Sequence, residues 1–229
     1  MTRTSEDRIV PKIVHTWDMK APEAFALQRE LTAQVVRETT FQQMTTVAGV
    51  DASYRQGVAR AAVVTLSFPD LEFLDYAVAT RAIDFPYVPG LLSFREGPVV
   101  LDALAKLNAV PDLLIFDAHG LAHPRRLGLA SHIGLLVDIP SIGCAKRRLC
   151  GQHEEPGQER GSIAFLTDEG ETIGAVVRTR TAVKPLFVSI GHRVDLQASV
   201  AYVLDCCRRY RLPETTRWAH RVAGGYVPG

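Results

Sequence analysis

Leu113-Leu-Ile-Phe116 is short, bulky and wholly apolar, and it runs directly into Asp117. A run of that length without polar alternation predicts a strand buried on both faces of a sheet. The segment after it is Ala118-His119-Gly120-Leu121-Ala122-His123-Pro124-Arg125-Arg126. A carboxylate at a strand end, two histidines bounded by glycine and a basic pair have poor value as packing. They suit a metal ligand beside a place where phosphate sits.

The rest of the chain supplies a frame for that strand. Its 229 residues suit one domain, expected over 1–229, with 1–20 an N-terminal extension and 224–229 a mobile tail. Residues 21–39 have the composition of a charged helix. Thr46–Tyr54, Val58–Ser67 and Leu71–Ile83 predict three strands joined by short turns, an antiparallel meander. Two prolines and a glycine make Phe85-Pro86-Tyr87-Val88-Pro89-Gly90 a rigid loop. Val99–Leu107 is helical in period, and Pro98 fits the first turn, which puts the start near Gly97. A strand over 112–116, a helix over 127–137 and a short strand over 141–145 follow, then a surface loop at 150–160 and two or three weaker strands within 161–190. Asp195 is a good N-cap for a helix reaching Arg209, and a closing helix is expected over 215–223. A meander followed by strands that return through helical crossovers defines the α/β class, a mixed sheet with helices on both faces.

Composition narrows the setting. The formal net charge is +1, so any electrostatic case for nucleic acid rests on local clusters such as Arg125-Arg126 and Lys146-Arg147-Arg148. Cys144, Cys150, Cys206 and Cys207 lack zinc-site spacing and read as reduced thiols, mostly in the core. No apolar run has the length of a membrane span, and Met1 to Lys12 lacks the apolar stretch of a signal peptide. A cytoplasmic protein is the expectation.

Asp51 is read as ending the first strand and Asp117 as ending the fourth. Adjacent strands lie about 4.8 Å apart, and two carboxylates at that separation repel unless a divalent cation sits between them. Glu96 would enter at the start of the first long helix. Three hard oxygen donors with open water positions suit Mg²⁺, with Mn²⁺ as a substitute. Other readings remain for each acid alone. Asp51 can be a turn acid, Asp117 a loop cap, and Ser93 with Glu96 a capping box, although Pro98 would then fall at a poor position inside the helix.

Several motifs, in order, resemble the endonuclease V family, the deoxyinosine 3′ endonucleases. They are Asp51-Ala-Ser-Tyr54, Phe85 to Gly90, Phe94-Arg-Glu-Gly-Pro98, Asp117 to Gly128, Ala130-Ser-His-Ile-Gly134, Ile139-Pro-Ser-Ile-Gly143, Ala145-Lys146 and Ser189-Ile-Gly-His-Arg193. The resemblance implies a ribonuclease-H-like fold and Mg²⁺-dependent cleavage of the second phosphodiester 3′ to a hypoxanthine nucleotide, leaving 3′-hydroxyl and 5′-phosphate ends. It implies that Asp51, Glu96 and Asp117 bind the metal, and that Lys146 and His123 lie near the cleaved strand. His220 would be a further ligand, an outer partner or a structural residue.

By the same resemblance, Pro86, Tyr87, Val88, Pro89 and Gly90 form a wedge that separates bases near the lesion. An aromatic side chain in such a gap offsets lost stacking, and flanking prolines keep it stiff. Lys146 is a compact cation suited to the metal or the attacked phosphate. For His123, phosphate binding, proton transfer and loop fixation stand equal. Gly128 would let backbone N–H groups approach a ligand, His192 would support a loop, and Ser189 would place the closing strand. Ala118 stands where many relatives have glycine, so its methyl would tighten the approach of substrate. The implied partner of a monomeric enzyme is DNA containing deaminated bases. Inosine-containing RNA, or lesion binding without cleavage, are the alternatives, and the 2′-hydroxyl decides between DNA and RNA.

Overall fold

The computed structural model describes residues 9–228. The first eight residues of the expected extension and Gly229 of the expected tail lie outside the described residues. The strands are β1 Thr46–Arg55, β2 Val58–Ser67, β3 Phe73–Ala82, β4 Leu113–Phe116, β5 Ser141–Ala145, β6 Ile163–Asp168, β7 Glu171–Val177 and β8 Leu186–His192. They form one sheet in the order β3-β2-β1-β4-β5-β8-β7-β6. β1, β2 and β3 are the antiparallel meander. β4 is parallel to β1, with Val50 beside Phe116, and β5 is parallel to β4. The expected weak strands of 161–190 are β6, β7 and β8, added in antiparallel sense beyond β5, and β8 is buried along its whole length.

Helices cover both faces. α2 (Leu92–Leu104) and α3 (Leu129–Val137) pack on one, and α4 (Leu196–Asp205) and α5 (Glu214–Ala223) on the other. The apolar run Leu113–Phe116 sits between them. Leu114 and Phe116 join the α2–α3 core, while Leu113 and Ile115 join the α4–α5 core. Side chains alternate across a strand, so a run that serves both cores must be apolar throughout. α5 lies unusually close to the sheet. A Cβ built on Gly49 of β1 would stand 2.0 Å from the Thr215 carbonyl oxygen of α5.

Four local expectations need correction. β1 does not end at Asp51; it continues to Arg55, paired with β2, after β4 has ended. α2 begins at Leu92 rather than near Gly97, with Pro98 inside it. Burial of Phe94, Val99, Val100, Ala103 and Leu104 outweighs the hydrogen bond that proline forfeits. Ser93 is therefore within the first turn, its hydroxyl is buried without a partner, and it forms no capping box with Glu96. The N-terminal helix, α1, spans only Ala21–Leu31, followed by a 3-10 turn over Thr32–Gln34. There the Thr32 hydroxyl donates to the Arg126 carbonyl and the Val36 N–H to His192 Nδ1, which draws the chain away from the helix axis.

Other details match their sequence signals. The Asp195 carboxylate accepts the Ala198 N–H at 2.8 Å and caps α4 as expected, although the helix ends at Asp205 rather than reaching Arg209. Cys144, Cys206 and Cys207 are buried free thiols, and Cys150 is half-buried. The segment before α1 packs on the domain. The Lys12 N–H donates to the Leu136 carbonyl at 2.7 Å, and the Trp17 ring lies 5.9 Å from that of Phe94. At the other end, the Tyr226 ring lies beneath the Arg221 guanidinium. No helix among the described residues is long and apolar enough to cross a membrane.

Candidate metal centre and base cleft

Where β4 leaves the sheet, Val50 and Phe116 are register partners, so the next residues of the two parallel strands, Asp51 and Asp117, stand side by side. The Asp117 N–H still donates to the Val50 carbonyl at 3.1 Å, which holds the junction together. α5 brings His220 over them, with Nδ1 2.7 Å from the Asp51 carboxylate. One donor atom each from Asp51, Asp117 and His220 lie within 4.8 Å of one another. The Lys146 ammonium, at the end of β5, donates to the Asp117 carboxylate.

Glu96 is outside this compact set. Its buried carboxylate accepts the Tyr54 hydroxyl. Asp51 and Tyr54 are three apart on one strand and so point to opposite faces; α2 covers the Tyr54 face and α5 the Asp51 face. The site thus straddles the end of the sheet.

The electrostatics are those of acids lacking neutralisation. Burial raises the Asp51 carboxyl above the usual carboxylate range, and repulsion from Asp117 adds to it, with His220 and Lys146 opposing. Glu96 is pushed up to about 7, chiefly by burial, with Asp51 and Asp117 adding repulsion against the stabilising Tyr54 hydrogen bond. Two carboxylates and an imidazole nitrogen at this spacing are a donor set for a divalent cation, whose charge would remove the repulsion.

Beside the acids is a cleft of about 180 Å³. Tyr87, Val88, Pro89 and Gly90 form one rim, Leu92 and Ser93 a wall, and His119 and Gly128 the far side. Tyr87 is 74% exposed at the tip of its loop, not packed within it. Pro86 and Pro89 are also exposed, while Phe85 is buried against Phe94. The loop is anchored at both ends. Arg95 donates to the Phe85 carbonyl at 3.1 Å. The Gly90 carbonyl accepts from Gln28 at 3.1 Å and from Arg125 at 2.9 Å, and lies 3.0 Å from His123 Nε2.

The last contact bears on the roles left open for His123. Its Nδ1 accepts the Arg125 N–H at 3.1 Å, so its proton sits on Nε2 and is donated to Gly90. Burial holds its pKa down at about 4, in keeping with a neutral ring. Both ring nitrogens are thus engaged in fixing the wedge loop. Arg125 and Arg126 do not form the expected open phosphate site. Arg125 reaches Gly90 and Gln28, and Arg126 pairs with Asp168 and Glu171.

Gly128 has no free N–H to offer, because its own donates to the Gly120 carbonyl at 2.9 Å; a Cβ there would lie 2.3 Å from the His119 carbonyl oxygen. It lets the two ends of the Asp117 loop close on each other at the N-terminus of α3. The Ala118 methyl is buried in the α2–α3 core and does not face the cleft. Ser189 accepts the Gly120 N–H at 3.0 Å, and His192 links Val36 to Asp138. Arg147 and Arg148 are exposed.

Sequence reasoning assigned no individual role to Tyr54, Gln28 or His119. Tyr54 had a signal in its odd spacing from Asp51. Gln28 had none, since its partners at Gly90 and Leu127 are 62 and 99 residues away. His119 lines the cleft with Nδ1 buried and unpartnered, and burial lowers its pKa to about 4.

A sheet in this order, with acids at the end of its parallel pair and helices on both faces, is a ribonuclease-H-like nuclease core. Residues 29–221 match the model of the family described as Endonuclease V. An Endonuclease V of Roseiflexus sp. (strain RS-1) is 56% identical over 213 residues, covering 93% of this chain and 96% of the relative. The crystal structure of Endonuclease V from Streptomyces avermitilis superposes with a TM-score of 0.87 at 43% identity, covering 93% of this chain and 95% of that one. Endonuclease V (D234N) of Ciona intestinalis, solved in complex with a 23mer DNA containing an inosine followed by a ribo-adenosine, has a TM-score of 0.76 at 26% identity, covering 90% of this chain and 96% of that one. The chain belongs to the Endonuclease V family.

Proposed function

We propose that this chain cleaves DNA at the second phosphodiester 3′ to a hypoxanthine nucleotide, leaving 3′-hydroxyl and 5′-phosphate ends, with Mg²⁺ or Mn²⁺ at the Asp51–Asp117–His220 cluster. One observation carries the reading: the acids and the cleft share their segments. His119 lines the cleft two residues after Asp117, and Ser93 lines it three residues before Glu96. A base in the cleft therefore brings its own backbone to the acids. The relative solved with inosine-containing DNA adds support from outside the chain.

A deaminated base within a duplex must leave the stack before an enzyme can read it. The cleft receives the base, and Tyr87, held at the loop tip by anchors at Phe85 and Gly90, fills the gap left in the helix. A divalent cation among the acids would supply charge stabilisation for in-line attack of water on the phosphodiester. Asp51, Asp117 and His220 would hold it, Glu96 would add negative charge from the α2 side, and the Lys146 ammonium, now on Asp117, would be placed to meet the phosphate. Purified protein incubated with inosine-containing DNA and Mg²⁺ should nick the strand one nucleotide beyond the lesion. A nick elsewhere, or none, would contradict the reading. Matched DNA and RNA strands in the same assay decide the sugar preference.

Two further outcomes follow. Tyr87→Ala should lower cleavage of inosine in a duplex by about tenfold to hundredfold, from the ~1–3 kcal/mol that stacking on one aromatic contributes. In a single strand, where no gap opens, the loss should be much smaller. Equal loss on both substrates would remove Tyr87 from the wedge role.

The second outcome concerns pH. Glu96 must be ionised to attract a cation, and it titrates near 7 without one. At limiting Mg²⁺, cleavage should rise with pH through that region, and saturating Mg²⁺ should move the midpoint to lower pH. The linked stability effect has the opposite slope. The folded-state value of about 7 is above the ordinary 4.5, so between these values the folded state binds more protons than the unfolded chain. Stability in EDTA should fall as pH rises across that window. Glu96→Gln should flatten the fall, and an unchanged slope in that variant would show that Glu96 is not its source.

A further inference from the structure

Residues 208–221 carry Arg208, Arg209, Arg211, Arg217 and Arg221 against a single acid, Glu214, in a chain of net charge +1. Two of them, Arg211 and Arg217, stand next to residues of the candidate metal centre. Arg211 donates to the Lys146 carbonyl at 3.0 Å, at the strand end whose ammonium touches Asp117. On α5, Arg217 is three residues before His220 and four before Arg221, so its side chain stands next to both on the outer surface of the helix.

Both α5 arginines are held by rings. The Arg217 guanidinium lies 3.3 Å from the centre of the Tyr210 ring. That of Arg221 lies 4.0 Å from the Tyr226 ring and 5.0 Å from the Trp218 ring. Stacking orders a guanidinium while leaving its N–H edge able to bind a phosphate. Glu214 takes one edge of Arg217 at 2.5 Å; Arg221 is exposed.

The geometry gives this surface an occupant. The cleft lies on the α2–α3 side of the sheet end, and α5 lies on the opposite face, with Asp51 and Asp117 between them. A strand with one base in the cleft and its backbone across the acids must continue over the His220 side of α5. With the lesion 5′ to the cut, that continuation is the 3′ segment. We propose that Arg217 and Arg221 bind the phosphates of the nucleic acid on the 3′ side of the cleaved bond. The proposal rests on the function proposed above and extends it to the strand that leaves.

The test uses two inosine duplexes, one ending within a few nucleotides 3′ of the cut and one extended by a helical turn on that side. For Arg221→Glu, and for Arg217→Ala with Arg221→Ala, KM on the extended duplex should rise about tenfold. The salt dependence of binding should lose roughly 0.9 in log–log slope per phosphate contact removed. On the short duplex, kcat and KM should match those of the unaltered protein. A loss shared equally by both duplexes, a loss that follows extension on the 5′ side, or no loss would overturn the proposal. Arg221 is exposed, so Arg221→Glu remains informative if the double variant folds poorly. Anisotropy of a labelled duplex bound to unaltered and variant protein gives an independent reading. If the unaltered protein cuts no inosine strand, the proposed function fails, and equal duplex binding by all three proteins would then overturn this proposal as well.

Discussion

Asp117→Ala should lower cleavage of an inosine strand on the order of 10³-fold or more, because a bound divalent cation contributes several kcal/mol of charge stabilisation in the transition state. The same variant should separate catalysis from folding. Asp117 stands beside Asp51 at the end of the parallel pair, and its charge helps to raise the Asp51 carboxyl. Removing it relieves repulsion in the metal-free protein, so the thermal midpoint in EDTA should hold or rise. The unaltered protein should be stabilised further by Mn²⁺, as any ligand that binds only the folded state stabilises it; the variant should lose that gain. Asp51→Ala should behave alike and also release His220 from its 2.7 Å contact. Thermal melts with and without Mn²⁺, beside single-turnover cleavage, check both parts. A variant that cuts at the normal rate would end the metal assignment, whatever its stability.

Gly49→Ala should be the most damaging methyl that can be added to β1. The new Cβ would stand 2.0 Å from the Thr215 carbonyl oxygen and 2.8 Å from the Thr216 nitrogen, both backbone atoms of α5. Neither can yield without moving the helix. Overpacking of this kind costs at least about 1–3 kcal/mol, a fall of roughly 2–12 °C in the melting midpoint for a chain of this size. The displacement also acts on the site, because α5 carries His220 to Asp51 and its Ala223 carbonyl accepts the Ser53 hydroxyl of β1. Cleavage at limiting Mn²⁺ should therefore fall more than at saturation. Gly224→Ala is the matched control, since a Cβ there meets nothing closer than 3.3 Å. Equal melting points for the two variants would show that α5 is not seated on β1 as described.

Much of the frame was legible because it depends on local rules. The meander, the buried β4 and the Asp195 cap follow from periodicity, turn residues and capping chemistry. Misreadings arose where tertiary packing overrode a local preference. Pro98 marked a helix start by propensity, yet the apolar face of α2 reaches back to Leu92 and keeps the proline inside. Asp51 read as a strand end because the motif around it changes character, whereas β1 continues beside β2 once β4 has stopped. Arg125 and Arg126 read as phosphate binders, but the Gly90 carbonyl, Gln28, Asp168 and Glu171 take their donors.

From the chain alone follow the α/β class, the burial of Leu113–Phe116 and the chemical types gathered at its end, since each depends on residues near one another in sequence. Tertiary structure decided which acids stand together with His220, that the Tyr54 hydroxyl donates to Glu96, and that both ring nitrogens of His123 bond within the loop segments. These choices depend on contacts between distant segments; the His220–Asp51 pair is 169 residues apart. No periodicity or spacing encodes such a contact. It exists only once β1 has paired with β4 and α5 has settled on Gly49.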